Sequence, residues 1–368
     1  MGEFGFPPTI TLGQDISRLM AALAFVNHLL FAGTLFAVSV LATWLVLRAR
    51  ILDVPNHRSS HDEPIANSGG IAIAFTVLVG FLVVYAMSDD TRIAEFHMVG
   101  FALAAFAILV VSFLDDLGCL RTFKLKLATQ IIAVAVLLAF DIVIRRITLP
   151  VFGGFELGWF SYPVTLLWIV GVTNMFNFMD GLNGLAGGTA VIVSGFFALT
   201  TFLQGSLFVY ILCYVLLASS LGFLIFNFPV ARIFMGDVGS QFLGFVFAAM
   251  AVLAAEYDAS RTSLLVMPLL LFNFIFDTGF TFCRRLLAGE NITQAHRSHL
   301  YQLFNRLGYS HTRVSLFQYA VAISQGLGVL WLLQSTSVNR SFVFLPFLCF
   351  QIVYMLVVMR AAHRKGLI

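Results

Sequence analysis

The sequence has little charge and lacks the features of a soluble or nucleic-acid-binding protein. Asp, Glu, Lys and Arg make up 11% of its 368 residues, whereas soluble domains carry about a quarter. The four cysteines lack the spacing of a zinc site or a disulfide framework. Basic residues form no stripe and the net charge is +3, so we expect no nucleic-acid partner. We also expect no signal peptide, because no basic segment precedes an apolar core at the start.

Hydrophobic residues, by contrast, make up 60% of the chain, and 40 of them are Phe. A membrane-spanning helix needs about 20 mostly apolar residues. Segments that meet this need lie at 29–47, 69–87, 97–114, 126–144, 161–179, 185–204, 207–226, 240–255, 263–283, 314–333 and 342–360. The sequence therefore predicts an all-α polytopic integral membrane protein with about 11 transmembrane helices.

The distribution of positive charge predicts the orientation. Fifteen of the 21 Lys and Arg residues fall on one side of the predicted spans and six on the other. Since cytoplasmic loops carry the excess of positive charge, the N-terminus is expected to be periplasmic and the C-terminus cytoplasmic. Residues 1–28 would form a periplasmic tail, or in part a cloning scar, and residues 29–368 a single transmembrane domain.

Four polar clusters end hydrophobic spans on the predicted cytoplasmic side. They are Asp115-Asp116, Asn177–Gly184, Phe234–Asp237 and His296–His299. A charge at membrane depth is costly unless it faces protein, water or a ligand. The sequence therefore predicts a cytoplasmic active site in the loops at 48–68, 115–126, 180–185, 227–240 and 284–313.

The residue types in these clusters suit phosphate chemistry. Adjacent carboxylates can hold a divalent cation, although Asp115-Asp116 alone is equally well read as a hydrated helix end. The spacing of three from Asn174 to Asn183 keeps carboxamides and Asp180 along one stripe, which suits a Mg²⁺–phosphate or nucleotide site. Asp277, inside the ninth span, is expected to pair with a polar neighbour. Together the clusters indicate phosphoryl transfer between a soluble nucleotide and a lipid phosphate, carried out mainly by positioning and charge neutralisation.

Five motifs between Asp53 and Arg313 occur in the order found in a known family. They are Asp53-x-Pro55-Asn56 with Arg58 and His61 before Gly69-Gly70, Leu114-Asp115-Asp116 with Lys126 and Gln130, Asn177–Ala186, Phe234–Ser240 and His296–Gln302. The chain resembles the MraY- and WecA-like polyprenyl-phosphate N-acetylhexosamine-1-phosphate transferases of glycosyltransferase family 4. The last motif resembles most the WbpL-like subgroup, which starts O-antigen chains.

The resemblance implies an enzyme of the bacterial inner membrane. It would transfer an N-acetylhexosamine 1-phosphate from a UDP-N-acetylhexosamine to undecaprenyl phosphate, release UMP, and so initiate O-antigen or lipopolysaccharide synthesis. The implied cofactor is Mg²⁺, with Mn²⁺ as the alternative. Membrane lipid is the remaining partner, and the sequence leaves open whether the protein is a homodimer.

The resemblance also implies residue roles. Asp115, Asp116, Asp237 and Lys126 would be catalytic, with Asp237 and Asp116 at the metal. Substrate contacts would come from His61, Asn177, Asp180, Asn183, Asn227, Phe234, His296, Arg297 and His299. Whether Asp115 acts as a general base or only electrostatically stays open. Asn183 departs from the family pattern, since many relatives have Asp there.

A transporter of lipid-linked sugars or anions is the alternative from another class. Such a protein should place polar groups near the bilayer midplane and often has paired halves. Here the polar clusters collect at one end of the spans and no internal repeat is visible, so the sequence favours the enzyme.

Overall fold

The computed structural model describes residues 12–49, 52–53, 65–87, 94–119, 123–149, 153–206, 208–291, 294, 296–335 and 340–368. The helices in this part of the chain are α1 (Leu12–Ala49), α2 (Gly70–Met87), α3 (Glu95–Asp116), α4 (Phe123–Ala139), α5 (Ser161–Phe178), α6 (Leu185–Leu203), α7 (Val209–Asn227), α8 (Gly236–Glu256), α9 (Val266–Leu270), α10 (Phe272–Leu287), α11 (Leu300–Arg306), α12 (His311–Gln334) and α13 (Phe344–Arg364). In the same part of the chain, four short strands form two antiparallel pairs, β1 (Leu52–Asp53) with β2 (Ile65–Ala66) and β3 (Arg146–Leu149) with β4 (Gly153–Glu156).

Each of the eleven predicted spans contains helix, and the protein is an all-α polytopic membrane protein. Among the described residues, seven helices are long and apolar enough to cross a membrane: α1 from Val26 onward, α3, α6, α7, α8, α12 and α13. The count of eleven spans stays a prediction. The segment at 1–28, predicted as a tail, is helical from Leu12 onward, because residues 12–28 include three Leu and three Ala and contain no proline.

Helix α8 forms the centre of the bundle. Every residue from Val238 to Ala254 is buried, and α2, α3 and α5 pack around the helix. A helix that is apolar on all sides belongs in a core, and its Gly and Ala residues let neighbouring backbones approach closely. The predicted span at 240–255 was too short, since the helix begins at Gly236. Its N-terminus therefore reaches the polar clusters directly.

The ninth predicted span is divided. Helix α9 ends at Leu270 and α10 begins at Phe272. The side-chain amide of Gln325, in α12, bridges the break. Its nitrogen donates to the Leu270 carbonyl oxygen (3.2 Å), and its oxygen accepts from the Asn273 main-chain nitrogen (3.0 Å). This side chain replaces hydrogen bonds that the break removes from the helix. Helix α10, which begins directly after the break, carries Asp277 and the basic residues Arg284 and Arg285.

Candidate active site

The ends of α3 and α8 bring three carboxylates together. Asp115 and Asp116 close α3, Asp237 lies in the first turn of α8, and one oxygen from each lies within 4.8 Å of the others. We call these residues the acid cluster. Lys126 of α4 pairs with Asp115 Oδ2 through Nζ at 2.5 Å and also with Asp237. Its ammonium group therefore compensates the repulsion between the two carboxylates that flank it.

Asp116 holds the start of α8. Its Oδ1 accepts a hydrogen bond from the Asp237 main-chain nitrogen (2.9 Å), and its Oδ2 from Val238 (3.4 Å). A carboxylate at a helix N-terminus satisfies free N–H groups and complements the helix dipole. Gly236 is required here, because its φ is +74° and a Cβ would lie 2.3 Å from Asp116 Oδ2. Asp116 thus fixes where Asp237 stands.

Two layers of polar side chains support Asp237. In the first, Asn177 Nδ2 donates to Asp237 Oδ1 and to Ser240 Oγ, both at 2.9 Å. The second layer lies one turn deeper and contains only amides: Gln130 Nε2 donates to Gln241 Oε1 (3.1 Å) and Asn174 Nδ2 to Gln130 Oε1 (2.6 Å). Buried amides that satisfy one another rigidify a site. Asn174 and Asn177 of the predicted stripe therefore support Asp237, and the contact of the stripe with a nucleotide or a Mg²⁺–phosphate stays a prediction.

A main-chain ladder fixes the segment before α8. Phe234 N donates to the Ala66 carbonyl (2.7 Å), Gly69 N to Phe234 (2.8 Å) and Gly70 N to Met235 (2.8 Å). The start of α2 is thereby tied to the start of α8 at the acid cluster. Phe234 itself is half-buried, and its stacking on uracil stays a prediction.

Two predicted substrate contacts have other partners in the structure. Asn227 is buried, with Oδ1 accepting from Gly184 N (2.9 Å) and Nδ2 donating to the Ile233 carbonyl (2.8 Å). Its side-chain amide therefore links the loop before α6 to the loop before α8. Asn183 Oδ1 lies 3.1 Å from His311 Nδ1, at the start of α12. Neither Asn183 nor Asn227 is part of the acid cluster. The side-chain amide of each is hydrogen-bonded to a neighbouring segment of the protein instead.

Residues 296–299, the histidine segment, border the same site. Tyr301 Oη donates to the Phe178 carbonyl (2.9 Å), and the His299 ring stacks on Phe178 with centroids 6.1 Å apart. Burial, and then the charges of His299 and Arg285, lower the pKa of His296 to about 4. His296 is thus neutral at neutral pH, so Arg297 supplies the fixed charge of the segment.

Asp180 interacts electrostatically with the acid cluster and with Tyr301, which follows the histidine segment. Burial, followed by the charges of Asp237 and Asp116, raises the pKa of Asp180 to about 7. Asp180 and Arg297 in turn act electrostatically on Tyr301. The structure therefore joins Asp115, Asp116, Lys126, Asn177, Asp180, Asp237 and the histidine segment in one site.

The raised pKa of Asp180 predicts a pH dependence of stability. The unfolded carboxyl ionises near its ordinary pKa of 3.8, whereas the folded one keeps its proton up to about 7. The folded state binds more protons between these values, so the stability of the ligand-free protein should fall as pH rises from about 4 to about 7. We expect Asp180→Asn to lose this part of the dependence. Thermal unfolding of both proteins at pH 5 and pH 7.5 measures it, and equal Tm differences would contradict it.

Sequence reasoning missed several residues of the site. Gln241 follows Asp237 by one helical turn, so helical spacing could have found it. Tyr301 lies within the fifth motif, but its role was not predicted, since its hydroxyl reaches a main-chain carbonyl far away in the sequence. His61 lies outside the described residues, as does most of the predicted loop at 48–68.

Comparison with known proteins agrees with this arrangement. Residues 98–255 match glycosyl transferase family 4. The chain is 32% identical, over 88% of its length and 87% of the relative's, to a probable undecaprenyl-phosphate N-acetylglucosaminyl 1-phosphate transferase of Bacillus subtilis. It is 30% identical, over 78% of its length and 77% of the relative's, to a decaprenyl-phosphate N-acetylglucosaminephosphotransferase of Mycobacterium leprae. It is 25% identical, over 80% and 81%, to an undecaprenyl-phosphate alpha-N-acetylglucosaminyl 1-phosphate transferase of Yersinia pestis. With the motifs, the polytopic fold and these relatives in agreement, the chain belongs to glycosyl transferase family 4.

Proposed function

We propose that this protein transfers an N-acetylhexosamine 1-phosphate from a UDP-N-acetylhexosamine to undecaprenyl phosphate. The observation that carries the proposal is the acid cluster, with Lys126 between two of its carboxylates and Arg297 nearby in the histidine segment. The cluster offers ligands for a divalent cation, while the cationic side chains suit the phosphates of donor and acceptor. The names of the relatives support a polyprenyl phosphate as acceptor and N-acetylglucosamine as the first donor sugar to test.

The reaction is a displacement at phosphorus. An oxygen of the lipid phosphate forms a bond to the β-phosphorus of the UDP-sugar, and the bond from that phosphorus to the bridging oxygen breaks. UMP leaves with the bridging oxygen, and the lipid carries a diphosphate-linked sugar. Asp115, Lys126 and Asp237 would position these groups and balance their charge. We favour direct attack over a covalent Asp intermediate, because the lipid phosphate is already nucleophilic at neutral pH.

The acid cluster fits Mg²⁺, or Mn²⁺ in its place. Carboxylate oxygens are the ligands that hard divalent cations prefer, and three of them lie within 4.8 Å of one another. Asp237 and Asp116 would hold the ion, since a carboxylate oxygen that accepts one N–H bond keeps a second lone pair. When bound, the ion would neutralise charge on the diphosphate.

The proposed setting is the cytoplasmic face of the bacterial inner membrane. The acid cluster lies at the end of the bundle to which the positive-inside rule assigns the cytoplasm. The product would initiate a lipid-linked glycan such as O-antigen.

An activity assay tests the proposal. Purified protein in detergent is incubated with Mg²⁺, undecaprenyl phosphate and one UDP-sugar at a time, including N-acetylglucosamine and 6-deoxy-N-acetylhexosamines. We expect UMP release that requires acceptor and metal, is abolished by EDTA and returns with added Mg²⁺. A preference for a 6-deoxy donor would support the O-antigen role. Absence of UMP release with every donor, in a folded protein, would overturn the proposed function.

A further inference from the structure

Asp277 is a buried acid that the proposed reaction does not yet use. It lies near the middle of α10 and is 2% exposed. An isolated carboxylate at such a place is costly unless donors surround it. Among the described residues, all but one of its hydrogen-bond donors lie in the segment that begins with His299, more than twenty residues later in the chain.

The carboxylate of Asp277 caps the N-terminus of α11. Its Oδ1 accepts from Leu300 N (2.9 Å) and its Oδ2 from Tyr301 N (3.0 Å). Thr281 Oγ1 adds a third bond, to Oδ1, at 3.2 Å. The first two main-chain N–H groups of α11 are thus hydrogen-bonded within the protein, and these bonds hold the start of α11 against α10.

The same carboxylate orients the His299 ring. His299 Nδ1 lies 3.2 Å from Asp277 Oδ1. Since an ionised carboxylate only accepts hydrogen bonds, Nδ1 carries the proton and Nε2 is the ring nitrogen left for a ligand. The ring contacts the rings of His296, Tyr301 and Phe178, with centroid distances of 4.8, 5.9 and 6.1 Å, and it is 5% exposed. Packing and hydrogen bond together leave the ring one orientation.

We propose that Asp277 is the positioning residue of His299. It fixes the orientation of the ring, so that Nε2, protonated when the substrate is bound, donates to a phosphate oxygen beside Asp180. The inference rests on the proposed function, because it assigns His299 to the substrate's phosphates. Carboxylates that orient a functional histidine through its other nitrogen act in this way at metal sites, and losing them typically costs about 10–100-fold in activity.

A double-mutant cycle tests the link between the two side chains. We expect Asp277→Asn to lower kcat by about 10–100-fold and to change the KM of the UDP-sugar much less. In His299→Ala the ring is gone, so adding Asp277→Asn should lower kcat no more than about threefold further. If the two losses multiply in the double variant, Asp277 does not act through His299, and the proposal is overturned.

Asp258→Asn is the matched control. Asp258 is also 2% exposed and also accepts from main-chain amides, at Val209 (3.3 Å) and Ser260 (3.0 Å). It follows the C-terminal end of α8, opposite the acid cluster. We expect this variant to lower Tm but to keep kcat within about twofold and to combine additively with His299→Ala. A kcat loss equal to that of Asp277→Asn would show a general stability effect and overturn the proposal.

Two measurements cover the remaining outcomes. If Asp277→Asn does not fold, Thr281→Val, which removes one donor from Asp277 Oδ1, is combined with His299→Ala in the same double-mutant cycle.

If the wild type proves inactive, the proposed function fails, and deuterium exchange of the ligand-free protein still decides the positioning. Faster exchange at Leu300 and Tyr301 in the Asp277 variant, and not in the Asp258 variant, supports it. Unchanged exchange in the Asp277 variant overturns it.

Discussion

Replacing Asp237 by asparagine is expected to lower the transfer rate by about 10³-fold while leaving the protein folded. The variant keeps the main-chain bond from residue 237 to Asp116 and an oxygen for Asn177, so the local structure survives. It loses the negative charge that faces the metal. A bound metal contributes several kcal/mol to transition-state stabilisation, and ~4 kcal/mol corresponds to about 10³-fold. Initial rates of UMP release over a Mg²⁺ titration measure the loss.

Asp141→Asn is the control for this substitution. Asp141 lies at the other end of the bundle, beyond α4, and pairs with Arg145 at 2.6 Å. Its side chain is 54% exposed, and such surface pairs contribute at most about 1 kcal/mol to stability. We expect the rate to stay within about twofold of wild type. A wild-type rate for the Asp237 variant, or an equal loss in both variants, would contradict the assignment of Asp237.

Gly70→Ala is expected to prevent the site from forming. A Cβ on Gly70 would lie 2.1 Å from Gly239 Cα and 2.8 Å from the Met235 carbonyl oxygen. Both are main-chain atoms, so a side-chain rotation cannot relieve the clash, and α2 would have to move away from α8. Overpacking usually costs about 1–3 kcal/mol, and we expect at least the upper end here. The yield of monodisperse protein and its Tm in detergent measure the effect.

Gly171→Ala provides the comparison for Gly70. Gly171 lies within α5, and no atom approaches within 4 Å of the place where its Cβ would stand. Alanine is favoured over glycine in a helix by about 0.5–1 kcal/mol, so this variant should keep or slightly raise Tm. Normal yield and Tm for Gly70→Ala would refute the close contact between α2 and α8.

The meeting of Asp115, Asp116 and Asp237 could be predicted from sequence. Charges are tolerated at span ends, and the positive-inside rule places those ends on common sides. The division of work within the cluster could not be predicted, because Asp115 and Asp116 are identical as residue types. In the structure, Asp116 accepts hydrogen bonds from the main-chain amides of α8, while Asp115 pairs with Lys126.

The roles of Asn183 and Asn227 illustrate a second limit of sequence reasoning. An amide can contact a nucleotide or join two loops, and its identity does not distinguish these uses. The break after Leu270 is a third case. It depends on Gln325, more than fifty residues later in the chain. The deep amides around it, where Asn273 Oδ1 accepts from Gln351 (2.8 Å), were likewise not predicted.

The hold of Asp116 on α8 has a consequence for ionic strength. Salt screens charges that solvent reaches, with a Debye length of about 8 Å at physiological concentration. Asp116 holds Asp237 and Val238 through main-chain amides in a partly buried place, so dissolved ions have little access to these bonds. Added salt should therefore slow the approach of charged substrates to the protein. The distance between Asp116 and Asp237, by contrast, should not change with salt concentration.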